Sequence, residues 1–382
     1  MVELGGLLIC VPLYTAGVLF LGATISASLF VFHVGVVPLI FKYSKGFRRN
    51  LVFANFIQWP LQPDFEEPSM AGIDGARNLG VEYQSKVDKC EVKIGIWHIL
   101  PKTVYQRLEA KFDSNTDKEE LNKILDEELA NSKTPIVLYC HGNSNSRACD
   151  HRIELYQFLQ KMDFHTIAFD YRGYGDSTNI RPTEAGVVED AIVVYDWLLS
   201  IVKKNPSPPI FVWGHSLGTA ISSHMLGNLS ELSMKLLDRN TPLPMPKGLV
   251  LEAPFNNLAD EVAMHPLSKL VTWLPYYKAT FVAPFRRSEQ QQRNKEPTFS
   301  SDEHLSKAKA LPILILHAKD DVIVPFVVGH RLYKSIQLSR TEQDASVSFQ
   351  AYDKKECLGH RHICNAKDLD VVIGKFIVEN NK

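Results

Sequence analysis

The stretch Ile210-Phe211-Val212-Trp213-Gly214-His215-Ser216-Leu217-Gly218-Thr219 runs an apolar segment straight into Gly-x-Ser-x-Gly, with small residues continuing through Ala220 and Ile221. A strand that ends in this pentad and turns at once into a helix holds its serine in a strained conformation, with the hydroxyl lifted clear of the sheet edge. Gly214 and Gly218 are required there because backbone and helix pass too close for a Cβ. Both the strand before the pentad and the helix after it are present, so Ser216 reads as a nucleophile and not as part of a plain tight turn.

A serine hydroxyl attacks well only when a neighbouring base takes its proton, so Ser216 calls for a carboxylate and a histidine downstream. Leu314-Ile315-Leu316-His317-Ala318-Lys319-Asp320-Asp321-Val322-Ile323-Val324-Pro325 puts two aspartates just past the carboxyl end of a strand. Asp321, which leads into Val-Ile-Val-Pro, is the expected orienting acid, and Asp320 is left to cap or order the loop. Gly359-His360-Arg361-His362 offers two histidines. Residues i and i+2 of an extended loop point to opposite sides, so only one can reach Ser216, and spacing does not say which. Tyr139-Cys140-His141-Gly142-Asn143 supplies a second loop, in which Gly142 allows close approach and the Asn143 peptide N–H joins that of Leu217 as an oxyanion donor pair.

The rest of the chain fits an α/β architecture. Apolar strands at Ile136–Cys140, Thr166–Phe169, Ile210–Trp213, Leu249–Leu251, Ile313–Leu316 and Val347–Tyr352 alternate with helical stretches at Asp150–Met162, Glu184–Val202 and Thr219–Leu237, and Leu369–Val378 closes the chain. Short, wholly apolar strands between helices predict a mostly parallel sheet covered on both faces. Earlier, Gly80–Tyr83 and Val92–Ile99 alternate with period two and read as antiparallel strands, and the charged segment 104–132 reads as a solvated surface helix. The alternation is broken at 256–310, an insertion expected to act as a lid. Its first half carries Trp273, Tyr276, Phe281 and Phe285, of which Trp273 and Phe281 are candidates for an acyl-chain wall; Arg286, in the lid, and Arg147, beyond the oxyanion loop, are candidates for pairing with a phosphate.

From Leu4 to Phe41 there is no Asp, Glu, Lys or Arg. About 20 apolar residues suffice to cross a bilayer core as helix, so one transmembrane helix is predicted within about 13–37, between Pro12 and Pro38. Met1-Val2-Glu3 gives no basic leader, which argues against a cleaved signal peptide. The chain therefore divides into an anchor (1–41), a juxtamembrane segment and linker (42–75) and a catalytic domain (76–382). In the second part, Lys42, Lys45, Arg48 and Arg49 precede the apolar, aromatic run Leu51–Pro60, which suits a membrane surface or a docking helix; Pro60, Pro63 and Pro68 mark the linker. Basic residues after the anchor favour a cytoplasmic domain. Asn228-Leu229-Ser230 is a glycosylation sequon usable only in a lumen.

A formal net charge of −1 over 382 residues provides no global field for nucleic acid. Six scattered cysteines, with no Cys-x-x-Cys among them, give neither a disulfide framework nor a metal site, and no cofactor is called for.

Taken together, Ile94-Gly95-Ile96-Trp97-His98, His141-Gly142-Asn143, Asp150 to Tyr156, Asp170-Tyr171-Arg172-Gly173-Tyr174-Gly175-Asp176-Ser177, Gly214 to Thr219 and Leu316 to Phe326 resemble the α/β-hydrolase fold family, more narrowly its membrane-anchored lipase branch. The resemblance covers almost the whole chain. It implies hydrolysis of monoacylglycerols and lysophosphatidylserine at the endoplasmic reticulum by a lumenal domain. In that branch's Gly-x-Arg-His pattern the base is the final histidine, here His362, with His360 standing where an aromatic residue is usual. The sequence thus predicts a single-pass membrane serine hydrolase using Ser216, His362 and Asp321 on a lipid ester. An acyl-protein or acyl-CoA thioesterase with the same residues, and a non-catalytic membrane scaffold, are its rivals.

Overall fold

The computed structural model describes residues 2–59, 63–112, 117–202, 208–288 and 296–381. One eight-stranded sheet runs through the molecule: β1 (Ala76–Gln84), β2 (Glu91–Ile99), β3 (Ile136–Cys140), β4 (His165–Phe169), β5 (Ile210–His215), β6 (Gly248–Glu252), β7 (Ile313–Ala318) and β8 (Val347–Tyr352), in the order β1-β2-β4-β3-β5-β6-β7-β8. β1 and β2 pair antiparallel, as does β2 with β4, and every later pair is parallel. The parallel strands β3, β5, β6 and β7 are buried at every residue, which explains their unbroken apolar sequences. Along β5 the side chains alternate between two core layers, Ile210 and Val212 into one and Phe211 and Trp213 into the other.

This topology decides where the chemistry sits. Parallel strands share one carboxyl edge, so the loops after β3, β5 and β7 all open on the same side of the sheet. Those loops carry His141-Gly142-Asn143, Ser216 and Asp320-Asp321.

Three elements differ from expectation. The charged segment forms two helices, Lys102–Phe112 and Lys118–Ala130, with a buried stripe of Leu108, Leu125 and Leu129 beneath the solvated face. The helix after Ser216 breaks at Asn228 into Leu217–Gly227 and Leu229–Leu236. The Asp-Asp loop leads into a further helix, Phe326–Ser339, which buries Val328, Leu332 and Ile336 and is not among the helical stretches that the sequence pattern marks. The 256–310 insertion is of two kinds. Leu258–Met264 and the short turns up to Phe285 lie over the site. Its last helix, Ser301–Lys307, belongs to the core: Phe299 and Leu305 are fully buried, and a Cβ on Gly227 would stand 2.3 Å from the His304 carbonyl oxygen.

The N-terminal helix Val2–Val31 continues through a wider turn, Phe32–Val36, into Val37–Tyr43 and is followed by the helix Lys45–Phe53. The span Val18–Tyr43 is long and apolar enough to cross a membrane, so the helix passes through Pro38 instead of ending before it. Pro38 has no N–H for the Val34 carbonyl and its ring crowds that turn, which accounts for the widening; the Tyr276 hydroxyl donates to the Val34 oxygen instead. Arg48 is buried. It pairs with Glu296 at 2.7 Å and donates to the carbonyls of Phe41 and Lys42, so one of the four juxtamembrane cations serves as an internal helix cap.

Candidate active site

Ser216 sits at φ 52°, ψ −119°, the strained turn that the pentad predicts. A Cβ on Gly218 would lie 1.9 Å from the Cys140 carbonyl oxygen, and one on Gly214 would lie 2.6 Å from that of Gly218. Here β3, β5 and the following helix meet with no room for a side chain. The Ser216 N–H donates to Glu252 O at 3.0 Å and its carbonyl accepts from the Thr219 hydroxyl at 2.6 Å, which fixes the turn from both sides. Leu217 opens the helix that follows, so its N–H lies at a positive helix end.

Asp321 has the geometry of an orienting acid. Its side chain is buried, Oδ1 accepts the N–H groups of Ile323 and Val324 at 2.8 and 2.9 Å, and Oδ2 lies 2.7 Å from His360 Nδ1 and 3.5 Å from His317 Nε2. Burial alone would raise its carboxyl, but the hydrogen bonds from His317 and His360 outweigh it and hold the group below the usual carboxylate range. Asp320 orders the histidine loop: its Oδ2 accepts the Gly359 N–H at 3.1 Å, where Gly359 adopts φ 55°.

The histidine assignment is corrected here. His362 points away from the site to Glu154 at 3.2 Å, and both side chains are nearly half exposed. His360 is the residue on Asp321. The loop is pinned beside Ser216 as well, because His215 Nε2 donates to the His360 carbonyl at 2.9 Å. His215 is kept neutral by burial and by the neighbouring His360. The alternation of the two histidines was readable from sequence; the side that faces Asp321 is set by the Asp320–Gly359 bond.

The oxyanion loop is braced from an unexpected direction. A Cβ on Gly142 would stand 3.2 Å from Ser216 Cβ, so the loop lies directly against Ser216. Asn143 Nδ2 donates to Val52 O at 3.3 Å, Ser144 N to Phe53 O at 3.1 Å and Asn145 N to Ile57 O at 2.8 Å. The juxtamembrane segment, with Phe53 wholly buried, is thus a docking element that holds the loop. From below, Arg152 donates to the carbonyls of Ser146, Gly142 and Ser144 at 2.6, 3.2 and 2.9 Å.

Arg147 is not a phosphate ligand. It is fully buried, donates to Asp170, Asp176 and Asn78 at 2.5 to 2.8 Å, and lies 4.3 Å from the Phe65 ring centre. Its charge is already spent on structural partners.

Ser216, Leu217 and Asn143 open into a cavity of about 500 Å³. Its walls come from the lid (Val262, Phe281, Phe285), the Asp321 loop (Ile323, Val324), the juxtamembrane helix (Leu51, Val52) and the apolar N-terminal helix (His33, Val37, Phe41). Phe281 is therefore in the wall as expected. Trp273 is not: it is 58% exposed and stacks on His33 at the outer edge, with ring centres 6.2 Å apart. Arg286 is also exposed and lies outside the cavity lining among the described residues.

Two other groupings have structural roles. Glu184, His224 and His304 converge, but the imidazoles stack at 4.0 Å and 17°, and their Nδ1 atoms are taken by Glu184 and Asn228 at 2.8 Å. That arrangement is a strut linking the helix Leu217–Gly227 to Ser301–Lys307. Asn228 Nδ2, the atom a glycan would modify, donates to His224 O at 3.0 Å and to His304 Nδ1.

Comparison with known proteins gives the family and the fold. Residues 135–235 match the family model described as alpha/beta hydrolase fold. The chain is 32% identical to lysophosphatidylserine lipase ABHD12 of Rattus norvegicus over 341 residues, 89% of this chain and 76% of that one. It is 31% identical to protein ABHD12B of Homo sapiens over 74% of this chain and 68% of the relative. Among solved structures, an esterase of Pyrococcus furiosus superposes with a TM-score of 0.52 at 18% identity, covering 85% of this chain and 97% of the other. An alpha-beta hydrolase of Vibrio vulnificus gives 0.54 at 16% identity, covering 87% and 92%.

Proposed function

The chain belongs to the α/β-hydrolase family, among the relatives of the ABHD12 lysophosphatidylserine lipases, and from this premise we propose that it cleaves single-chain lipid esters at a membrane, with Ser216 as nucleophile, His360 as base and Asp321 as orienting acid. That it is a carboxylic ester hydrolase, a lipase, follows from the family itself. One observation carries the finer reading: the nucleophile opens into an apolar cavity whose wall includes Val37 and Phe41 of the helix long enough to cross a bilayer. An acyl chain lying along that helix reaches Ser216 without passing through bulk water. Leu267, Leu270 and Trp273, at the lid's outer edge, are 58 to 67% exposed, which suits contact with the lipid interface. A location in the endoplasmic reticulum membrane rests on the family resemblance.

In the reaction, His360 takes the Ser216 proton as Oγ attacks the ester carbonyl, and the N–H groups of Leu217 and Asn143 receive the developing oxyanion. The intermediate collapses, His360 gives the proton to the leaving oxygen, and water attacks the acyl-enzyme through the same imidazole. Asp321 holds the Nδ1 proton throughout and stabilises the imidazolium.

The test is a series of monoacyl esters, from butyryl to long-chain, in detergent micelles, with lysophosphatidylserine beside an uncharged monoacylglycerol. Each buried CH₂ contributes about 0.8 kcal/mol, so apparent KM should fall about fourfold per carbon until the cavity is full. Equal turnover of short and long chains would sink the lipid-groove reading, and faster cleavage of matched thioesters would replace it with a thioesterase.

A further inference from the structure

The cavity over Ser216 is lined mainly by apolar side chains. Glu261 and His265 stand one turn apart, on and just after the helix Leu258–Met264, and both line the cavity. Glu261 is 9% exposed, and its Oε2 is buried with no hydrogen-bond partner among the described residues, a condition that buried carboxyl oxygens rarely show. His265 accepts the Leu267 N–H on Nδ1 at 3.2 Å, so its ring proton is on Nε2, which is a donor. The other polar liners have partners: His33 Nε2 donates to Leu270 O, the Ser268 hydroxyl to Val262 O, and Asn143 Nδ2 to Val52 O.

The helix that carries Glu261 lies beside the Asp321 loop: Arg331, on the helix that follows the loop, donates to Asp260 Oδ2 at 3.3 Å, and Ile323 and Val324 of the loop share the cavity wall with Glu261 and His265, so the pair lies on the side of the cavity that carries the orienting acid and its histidine. In ester cleavage that imidazole protonates the leaving oxygen. The leaving alcohol therefore lies toward Glu261 and His265, and the acyl chain takes the apolar remainder past Phe281 and Phe41. Burial, with the Asp321 charge adding to it, pushes the Glu261 carboxyl up to about 8, so at neutral pH it carries a proton and donates. Burial and His360 keep His265 uncharged.

We propose that Glu261 and His265 form a subsite that hydrogen-bonds a free hydroxyl of the leaving alcohol, next to the scissile ester, and so select glycerol esters that carry a single acyl chain. The inference rests on Ser216 being the ester nucleophile with the chain in this cavity, and deepens that reading. A diacyl lipid has that hydroxyl esterified, which leaves the buried Glu261 carboxyl without a partner, and such mismatches are penalised more heavily than lost contacts.

The experiment uses the full-length enzyme in detergent and four esters of one long acyl chain: glycerol, 1,2-propanediol, 1,3-propanediol and ethyl. Wild type should favour the first two over the last two by on the order of 10–100-fold in kcat/KM. Glu261→Leu should collapse that ratio toward one, and Glu261→Gln, which keeps a donor and an acceptor, should retain most of it. A wild-type ratio near one overturns the subsite without any variant having to fold, as does a Glu261→Leu enzyme that keeps the wild-type ratio. If wild type cleaves none of the four, the ester-nucleophile reading fails and takes the subsite with it.

Discussion

Replacing the two loop histidines one at a time separates the tertiary arrangement from the sequence pattern by several orders of magnitude. His362 makes one side-chain bond, at 3.2 Å to Glu154, between groups 48% and 42% exposed. Surface pairs of this kind contribute about 0–1 kcal/mol to stability, so His362→Ala should leave kcat within about twofold and Tm within about 2 °C. His360 is bonded at 2.7 Å to a buried carboxylate and is the only one of the two in contact with Asp321. Removing a general base costs about 10²–10⁴ in rate, and loss of a residue from a serine triad can cost about 10⁶. His360→Ala should therefore lower kcat by at least about 10³, equivalent to about 4 kcal/mol of transition-state stabilisation. The fold should survive, because Asp321 keeps the Ile323 and Val324 N–H groups and His317 remains 3.5 Å away. The assays are turnover of a short-chain ester in detergent and the rate of fluorophosphonate labelling at Ser216, with thermal unfolding as the control. Near-full activity in His360→Ala together with collapse in His362→Ala would refute the reasoning, since it would require the loop to turn over from the geometry described.

Two further outcomes follow from buried charge. Arg48→Met leaves Glu296, itself 7% exposed, without its partner, and should destabilise the protein by about 3–5 kcal/mol, seen as a fall of roughly 10 °C in Tm; adding Glu296→Gln should recover most of the loss, and a single variant as stable as wild type would show the pair to be dispensable. Glu252 is pushed up to about 8 by burial, against 4.5 in an unperturbed glutamate, so the native state holds a proton that the unfolded chain releases. The resulting stability is complete below pH 4.5 and is lost as pH rises through 8. Glu252→Gln, which can still accept the Trp213 indole N–H, should flatten the fall in Tm between pH 5 and 8, and parallel curves for the two proteins would contradict it.

Much of the fold and part of the site were legible because they depend on local patterns. The strained turn at Ser216 needs glycine on both sides, short strands buried on both faces need unbroken apolar runs, and an acid after β7 needs only its place in the loop. A helix can be recognised as long and apolar enough to cross a membrane from composition alone. The remaining features are contacts between distant segments, which no local pattern encodes. His360 and His362 are equivalent by spacing, and the choice falls to Asp320 holding the Gly359 N–H 39 residues away. Arg147 and Arg286 look alike as free cations, yet one is locked between Asp170 and Asp176 while the other lies outside the cavity. Glu261 carries no signal in the sequence that sets it apart, and only its burial in the cavity wall, with the Asp321 charge adding to it, makes it a protonated group there. The juxtamembrane segment read equally as membrane-bound or docked, until the bonds from Asn143, Ser144 and Asn145 to Val52, Phe53 and Ile57 tied it to the oxyanion loop. Sequence periodicity sets which residues are buried, but which buried polar group meets which partner depends on how the loops at one edge of the sheet close over one another.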